Sequence, residues 1–265
     1  MLMITSGVAA SLCYLAATGL QLQRMLKGSG VGSWVKLLAA LAIILHGFTA
    51  SWGFSNTNGY DLGIYPMLSL MSLSIGAIVL ISSLRRPVDN LFVFVFPLAI
   101  STILLQIILK GDYTPIQDIT RGIFGHIALS IIAYSLLTIA AAQALLLSFG
   151  DNMLRHHRLV ILRNLPPLET MEHLMFEIIW VGLVFLTLSI GSGFVFLDDF
   201  SEPGLIHHTA ITLAAWIVFM VLAWGRYQLG WRGAIASRWT LFGFVLLVLG
   251  YFGSKLVLEV ILGKS

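Results

Sequence analysis

The sequence predicts an all-α polytopic membrane protein, a bundle of eight transmembrane helices with both termini on the outer, periplasmic side. Three observations predict it. Of 265 residues, 58% are hydrophobic and only 10% are charged, and the mean hydropathy is +0.94; an average soluble domain carries about 25% charge. Apolar runs of about 20 residues, enough to cross roughly 30 Å of hydrocarbon as helix, recur along the whole chain. Lys and Arg collect in alternate loops. A soluble domain with one anchor is excluded, and so is an outer-membrane barrel, whose strands would be about 10 residues long and alternating.

The spans follow in order. The first, 3–22, has no Lys or Arg ahead of it and no small-residue cleavage pattern, so it is expected to be a retained helix in place of a signal peptide. It holds the single cysteine, Cys13, which leaves no thiol framework or Cys-rich metal site. The second, 34–54, carries His46. The third, 65–84, and fourth, 90–109, have Pro66 and Pro97 near their starts. The fifth, 122–149, opens just after Arg121 and carries His126. Pro166-Pro167 and the carboxylates of Glu169 and Glu172 form a helix-start signal ahead of the sixth, 175–197. The seventh, 205–224, begins at His207-His208. The eighth, 239–261, contains Lys255 and Glu259, an i,i+4 pair read as mutually neutralising. Every span must be helical, because backbone groups in lipid have to be bonded internally.

Lys and Arg stay on the cytoplasmic side. One set of loops holds Arg24, Lys27, Lys36, Arg85, Arg86, Arg155, Arg158, Arg163, Arg226, Arg232 and Arg238. That is eleven of the fifteen basic residues. The opposite set holds Asp61, Asp112, Asp118, Asp198, Asp199 and Glu202, offset only by Lys110 and Arg121. The whole chain, 1–265, is expected to be one transmembrane domain, with 150–174 a cytoplasmic loop carrying an interfacial helix. The basic residues face the bilayer from short loops, so a nucleic-acid partner is excluded. A bacterial inner membrane is the expected location.

Imidazoles at membrane depth cost several kcal/mol unless paired or functional. His156, His157 and His173 fall in the cytoplasmic loop region and read as a solvated face. His46, His126, His207 and His208 all fall within roughly 5–12 Å of the outer hydrocarbon boundary at about 1.5 Å per residue. His46 shares a face with Ala39, Ala42, Ala50 and Gly53, His126 with Ser130 and Ala133, and His208 with Thr212 and Ala215; adjacent residues diverge by about 100°, so His208 is favoured over His207 as the inward-facing ring. Small neighbours leave room for a bulky planar group, yet they also suit plain helix contact with histidines as inter-helix hydrogen-bond partners. Zinc, with Asp198, Asp199 and Glu202 as helpers, stays open. Haem needs one or two axial imidazoles, an apolar slot with aromatics and a cation for its propionates; Phe124, Trp52, Trp216 and Arg121 are the candidates.

Gly125-His126-Ile127-Ala128-Leu129-Ser130 with Ala133-Tyr134 resembles the histidine-bearing helix of the CcsA/HemX-type cytochrome c assembly proteins. Pro166-Pro167-Leu168-Glu169, Glu172, Met175-Phe176, Gly182, Leu186-Thr187-Leu188 and Gly193 are similar to the helix that follows. Trp216, Trp224-Gly225, Gly230-Trp231-Arg232-Gly233 and Tyr251-Phe252-Gly253-Ser254 resemble the YpjD branch of that family, from the inner membrane. The resemblance implies non-covalent, b-type haem handled on the outer side, with His126 as one axial ligand to the haem iron and His208, or its neighbour His207, as the other. Two departures stand out. The segment Asp198-Asp199-Phe200-Ser201-Glu202-Pro203-Gly204 has no tryptophan, and the last span has no histidine. These bear on cytochrome c synthetase activity, which presents haem to a CxxCH acceptor, more than on haem binding. The expected protein is therefore a non-enzymatic haem-binding accessory of cytochrome c or haem biogenesis, with His126 and His208, or His46 in its place, as the axial ligands. A regulatory scaffold that captures a protein partner through Arg155, Arg158 and Arg163, and a transport or ion-homeostasis accessory, are the alternatives.

Overall fold

The computed structural model describes residues 1–27, 32–56, 59–109, 116–155, 166–196, 203–253 and 255–256, leaving aside the side chains of 56, 155 and 203–207. Eight helices run through them: α1 (Leu2–Lys27), α2 (Ser33–Phe54), α3 (Ile64–Ser83), α4 (Phe92–Ile108, after a 3₁₀ turn at Asp89–Leu91), α5 (Arg121–Arg155), α6 (Leu168–Phe196), α7 (Pro203–Gln228) and α8 (Gly233–Val248), which passes into a π turn at Leu249–Gly253. Among the described residues, eight segments are long and apolar enough to cross a membrane. Helices α1–α4 form one compact unit and α5–α8 a second.

In the first unit each helix packs on its sequence neighbours and α1 closes onto α4. Lipid tails are as apolar as a protein core, so close packing and inter-helix hydrogen bonds hold such a bundle. The sequence supplies both. The buried positions of α1 are Gly7, Ala10, Tyr14, Ala17 and Gln21, an alternating spacing of three and four that keeps one stripe inward. Its small residues admit the neighbours: a Cβ on Gly7 would stand 2.6 Å from Ile107 Cδ1 and 3.2 Å from Thr49 Cγ2. Polar links cross the three seams between sequence neighbours. Ser6 meets Thr49 at 2.9 Å, Tyr14 meets His46 at 3.4 Å, His46 meets Ser69 at 3.0 Å and Ser72 meets Thr102 at 2.5 Å. An aromatic column of Tyr14, Phe96 and Phe92, with ring centroids 5.2 and 4.8 Å apart, fills the centre. At one rim Lys36 donates to Ser83 O at 2.5 Å and lies 3.4 Å from Asp89 Oδ1.

A two-residue hairpin, Ser55–Asn56 with Gly59–Tyr60, links α2 to α3, and Tyr60 bridges to Ile116. Gly59 sits at φ +123, with Ile116 O only 2.6 Å from where a Cβ would be, so glycine is required there.

The second unit repeats the cyclic neighbour order, α5 on α6, α6 on α7, α7 on α8 and α8 back on α5. Helices α1, α5, α6 and α7 all outrun the expected spans, and α5 and α6 are the longest. At about 1.5 Å per residue, the 35 residues of α5 extend about 52 Å and the 29 of α6 about 43 Å, well beyond roughly 30 Å of hydrocarbon. Residues 168–174, the expected interfacial segment, are the first turns of α6, continuous with the rest of it. Residues 156–165, which include His156, His157, Arg158 and Arg163, lie outside the described residues.

The last span starts at Gly233 instead of 239, for a local reason. Glu172 on α6 accepts the Gly233 N–H at 2.8 Å through Oε2 and Arg226 at 2.6 Å through Oε1. Arg226 also donates to Trp231 O at 3.1 Å and lies 4.6 Å above the Phe176 ring. Gly230 at φ +64 and Gly233 at φ +55 make the turn. One carboxylate thus organises the whole connection between α7 and α8.

Candidate functional site

The second unit brings two of the sequence-nominated histidines together. His126 lies in the second turn of α5, where Ser130 and Ala133 mark the inward face. Its Nδ1 stands 3.0 Å from Ser189 O and 3.0 Å from Ser192 Oγ, both on α6. A carbonyl only accepts, so Nδ1 carries the proton and Nε2 keeps its lone pair. No hydrogen-bond donor among the described residues reaches that Nε2. A serine seam holds the arrangement: Ser130 Oγ donates to His126 O at 2.8 Å and meets Ser189 Oγ at 2.7 Å, while Ser192 Oγ donates to Ser189 O at 2.8 Å. Tying one ring nitrogen to a backbone carbonyl is how proteins orient a metal-ligating histidine.

His208, on α7, lies within electrostatic reach of His126 and of Lys255. Its ring meets Tyr251 edge-on at 5.7 Å, and Tyr251 meets Tyr134 of α5 at 5.9 Å. The His208 Nε2, the Tyr134 hydroxyl and the Thr212 hydroxyl are all buried with no hydrogen-bond partner. Tyr134 faces Thr212 without reaching bonding geometry. Each unsatisfied buried polar group costs about 1–3 kcal/mol. Three such groups where α7 faces α5, two on α7 and one on α5, call for an occupant.

The π turn at Leu249–Gly253 shapes this wall. Its extra residue per turn carries the Tyr251 ring between His208 and Tyr134, and brings Gly250 against α7, where a Cβ would lie 3.0 Å from Thr212 Oγ1. Such turns recur at functional sites. Lys255 follows, 5.6 Å from the Tyr251 ring centroid; its expected partner Glu259 lies outside the described residues.

His46 belongs to the first unit, fully buried, with Nδ1 taken by Tyr14 and Nε2 by Ser69. Both ring nitrogens are thus engaged by protein. The side chain of His207 and residues Asp198, Asp199 and Glu202 lie outside the description. Among the described residues no group of three or more His, Cys, Asp or Glu is arranged to hold a metal ion. Arg121, the first residue of α5, is exposed. Of the aromatics expected to wall a slot, Phe124 and Trp52 are 52% and 59% exposed, and Trp216 donates to Thr187 Oγ1 at 2.9 Å. The aromatic wall is formed instead by Tyr134 and Tyr251. Their signal was present in the sequence as a tyrosine two turns beyond His126 and another four residues before Lys255, but nothing in the spacing joins them to His208. His173, by contrast, is a solvated residue, 67% exposed and 3.4 Å from Glu177.

The family model for cytochrome C assembly protein matches residues 6–262. The inner membrane protein YpjD of Escherichia coli K12 is 31% identical over 235 residues, covering 87% of this chain and 89% of that protein. An uncharacterized 28.8 kDa protein of Azospirillum brasilense, from the 5′ region of a nifR3-like gene, is 32% identical over 143 residues, covering 52% of each chain. No solved structure matches. Eight membrane-crossing helices and this kinship make the molecule a multi-pass inner-membrane protein with a role in cytochrome c biogenesis. The chain belongs to the cytochrome c assembly protein family.

Proposed function

We propose that this protein binds haem non-covalently in its α5–α8 unit, with His126 and His208 as axial ligands, and serves cytochrome c biogenesis as an accessory rather than as a synthetase. The observation that carries the reading is the buried, unpartnered Nε2 of His208, in electrostatic reach of a His126 whose Nδ1 is committed to Ser189. Both imidazoles offer a lone pair and neither ring needs to lose a proton. Iron-protoporphyrin asks for that donor set and tolerates an otherwise apolar surrounding, so the residues present fit the group.

When bound, haem supplies a redox-active iron whose potential responds to axial ligation and burial. The chain's own contributions are then distinct. Ser189 and Ser192 hold the His126 ring in one tautomer and one orientation. Burial around His208 keeps water from competing for its nitrogen. The distribution of Lys and Arg supports an orientation with both termini outside, which puts the two histidines near the periplasmic face. A tryptophan-free segment at 197–204 and a last span without histidine support the accessory role, since presentation of haem to an acceptor is where those features would act. His46 takes a structural part in this reading, and Arg121 remains a rim cation.

The test is the absorption spectrum of protein purified from haem-replete cells. A Soret band is expected, diminished by His126→Ala and by His208→Ala. A preparation without haem that also fails to take up added haemin would overturn the proposal.

A further inference from the structure

Haem carries two carboxylates, and a site in the membrane has to receive them. Arg121 lies at the exposed start of α5. A different set of groups lies beside His208. Tyr134 and Thr212 are 5% and 6% exposed, and their hydroxyls face one another without a hydrogen bond of full geometry to any partner. Lys255 brings an ammonium within electrostatic reach of the same imidazole. Two hydroxyl donors and a cation in an apolar surrounding favour an anionic, acceptor-rich guest, because charge-assisted hydrogen bonds strengthen when water is excluded. The π turn sets the spacing: Gly250 lies against Thr212 and Tyr251 against both His208 and Tyr134.

We propose that Tyr134, Thr212 and Lys255 form a carboxylate-binding set beside His208 that receives an acidic side chain of a tetrapyrrole. This rests on the reading of the α5–α8 unit as a haem site and names the residues that recognise the periphery of the ring rather than its iron. The set distinguishes a porphyrin free acid from its ester, whatever metal the ring holds.

Metal-free protoporphyrin IX and its dimethyl ester test this directly, because neither forms an iron–imidazole bond. Both are titrated into the full-length protein in detergent and followed by porphyrin fluorescence, with haemin titrated in parallel and followed by its Soret band. The free acid is expected to bind about tenfold or more tightly than the diester. Tyr134→Phe, Thr212→Val and Lys255→Gln should each shrink that preference several-fold. His208→Ala should abolish the haemin signature while leaving the acid-over-ester preference in place. Equal binding of acid and diester by the unaltered protein overturns the proposal, and this comparison needs no variant to fold. A full preference retained in Tyr134→Phe and Thr212→Val also overturns it, and assigns the two hydroxyls to a bound water. An acid preference without any histidine-dependent haemin spectrum sinks axial ligation and leaves the carboxylate set standing. A histidine-dependent spectrum without acid preference does the reverse.

Discussion

Glu172 offers the sharpest test of how the second unit is held. Its carboxylate is 9% exposed as a residue, accepts Arg226 at 2.6 Å and the Gly233 N–H at 2.8 Å, and lies 3.9 Å from Arg232. Removing one partner of a buried ion pair typically costs about 3–5 kcal/mol. Arg226 keeps 23% exposure, its bond to Trp231 O and its place over Phe176, so the expected cost of Glu172→Ala is nearer to about 2–4 kcal/mol. Glu172→Gln should cost about 1.5–3 kcal/mol, because the amide can accept one bond but turns an N–H toward the other donor. The assay is thermal unfolding of purified protein in detergent. At roughly 2–4 °C per kcal/mol for a chain of this size, Glu172→Ala is expected to lower Tm by about 4–16 °C. The double variant Glu172→Leu with Arg226→Leu should recover part of that loss, since no charge is then buried alone. Unchanged melting in Glu172→Ala, or a double variant as damaged as the sum of the singles, would refute the reasoning.

Two further outcomes follow from named contacts. His46→Ala removes a fully buried ring and strands Tyr14 and Ser69, so it should cost about 2–4 kcal/mol in thermal unfolding while leaving any haemin spectrum unchanged; a lost Soret band would make His46 part of the site. Gly225→Ala puts a Cβ 2.5 Å from the Trp231 ring, which is stacked on Trp239 at 5.3 Å, and overpacking of this kind costs about 1–3 kcal/mol. Quenched or shifted tryptophan emission together with a lower Tm is the expected readout, and an unaltered Tm would show that the ring moves freely.

How far the sequence reached depends on which forces speak through local pattern. Apolar length reports contact with lipid, so all eight spans were readable, though half of them ended or began five or more residues from where the helix does. Hydropathy says nothing about helix that continues into water. The tails of α5 and the opening turns of α6 therefore escaped it, because Glu172 and the Gly233 turn hold that end by tertiary contacts. The two-residue hairpin at 55–60 depends on a pairing with Ile116 and left no alternation to detect. The π turn has no periodic signature at all.

The histidines divide along the same line. Depth along a helix was legible, but depth does not say what meets a ring. The partners of His46 lie 32 and 23 residues away in sequence, and both occupy its nitrogens. His126 and its Ser130 face were legible because the supporting seam begins on the same helix. Thr212 was visible as the residue one turn below His208. Its relation to Tyr134 required the two helices to be packed. Lys255 was read as half of a pair with Glu259, because i,i+4 spacing is the only neighbour a sequence displays.

The central claim is that His126 and His208 together hold one haem iron. Electron paramagnetic resonance of the ferric, haemin-loaded protein tests it most directly, with haem quantified per chain. The account predicts one haem per chain and a low-spin, bis-histidine signal that turns high-spin in either His126→Ala or His208→Ala. A high-spin signal in the unaltered protein, or a low-spin signal that survives both substitutions, would contradict it.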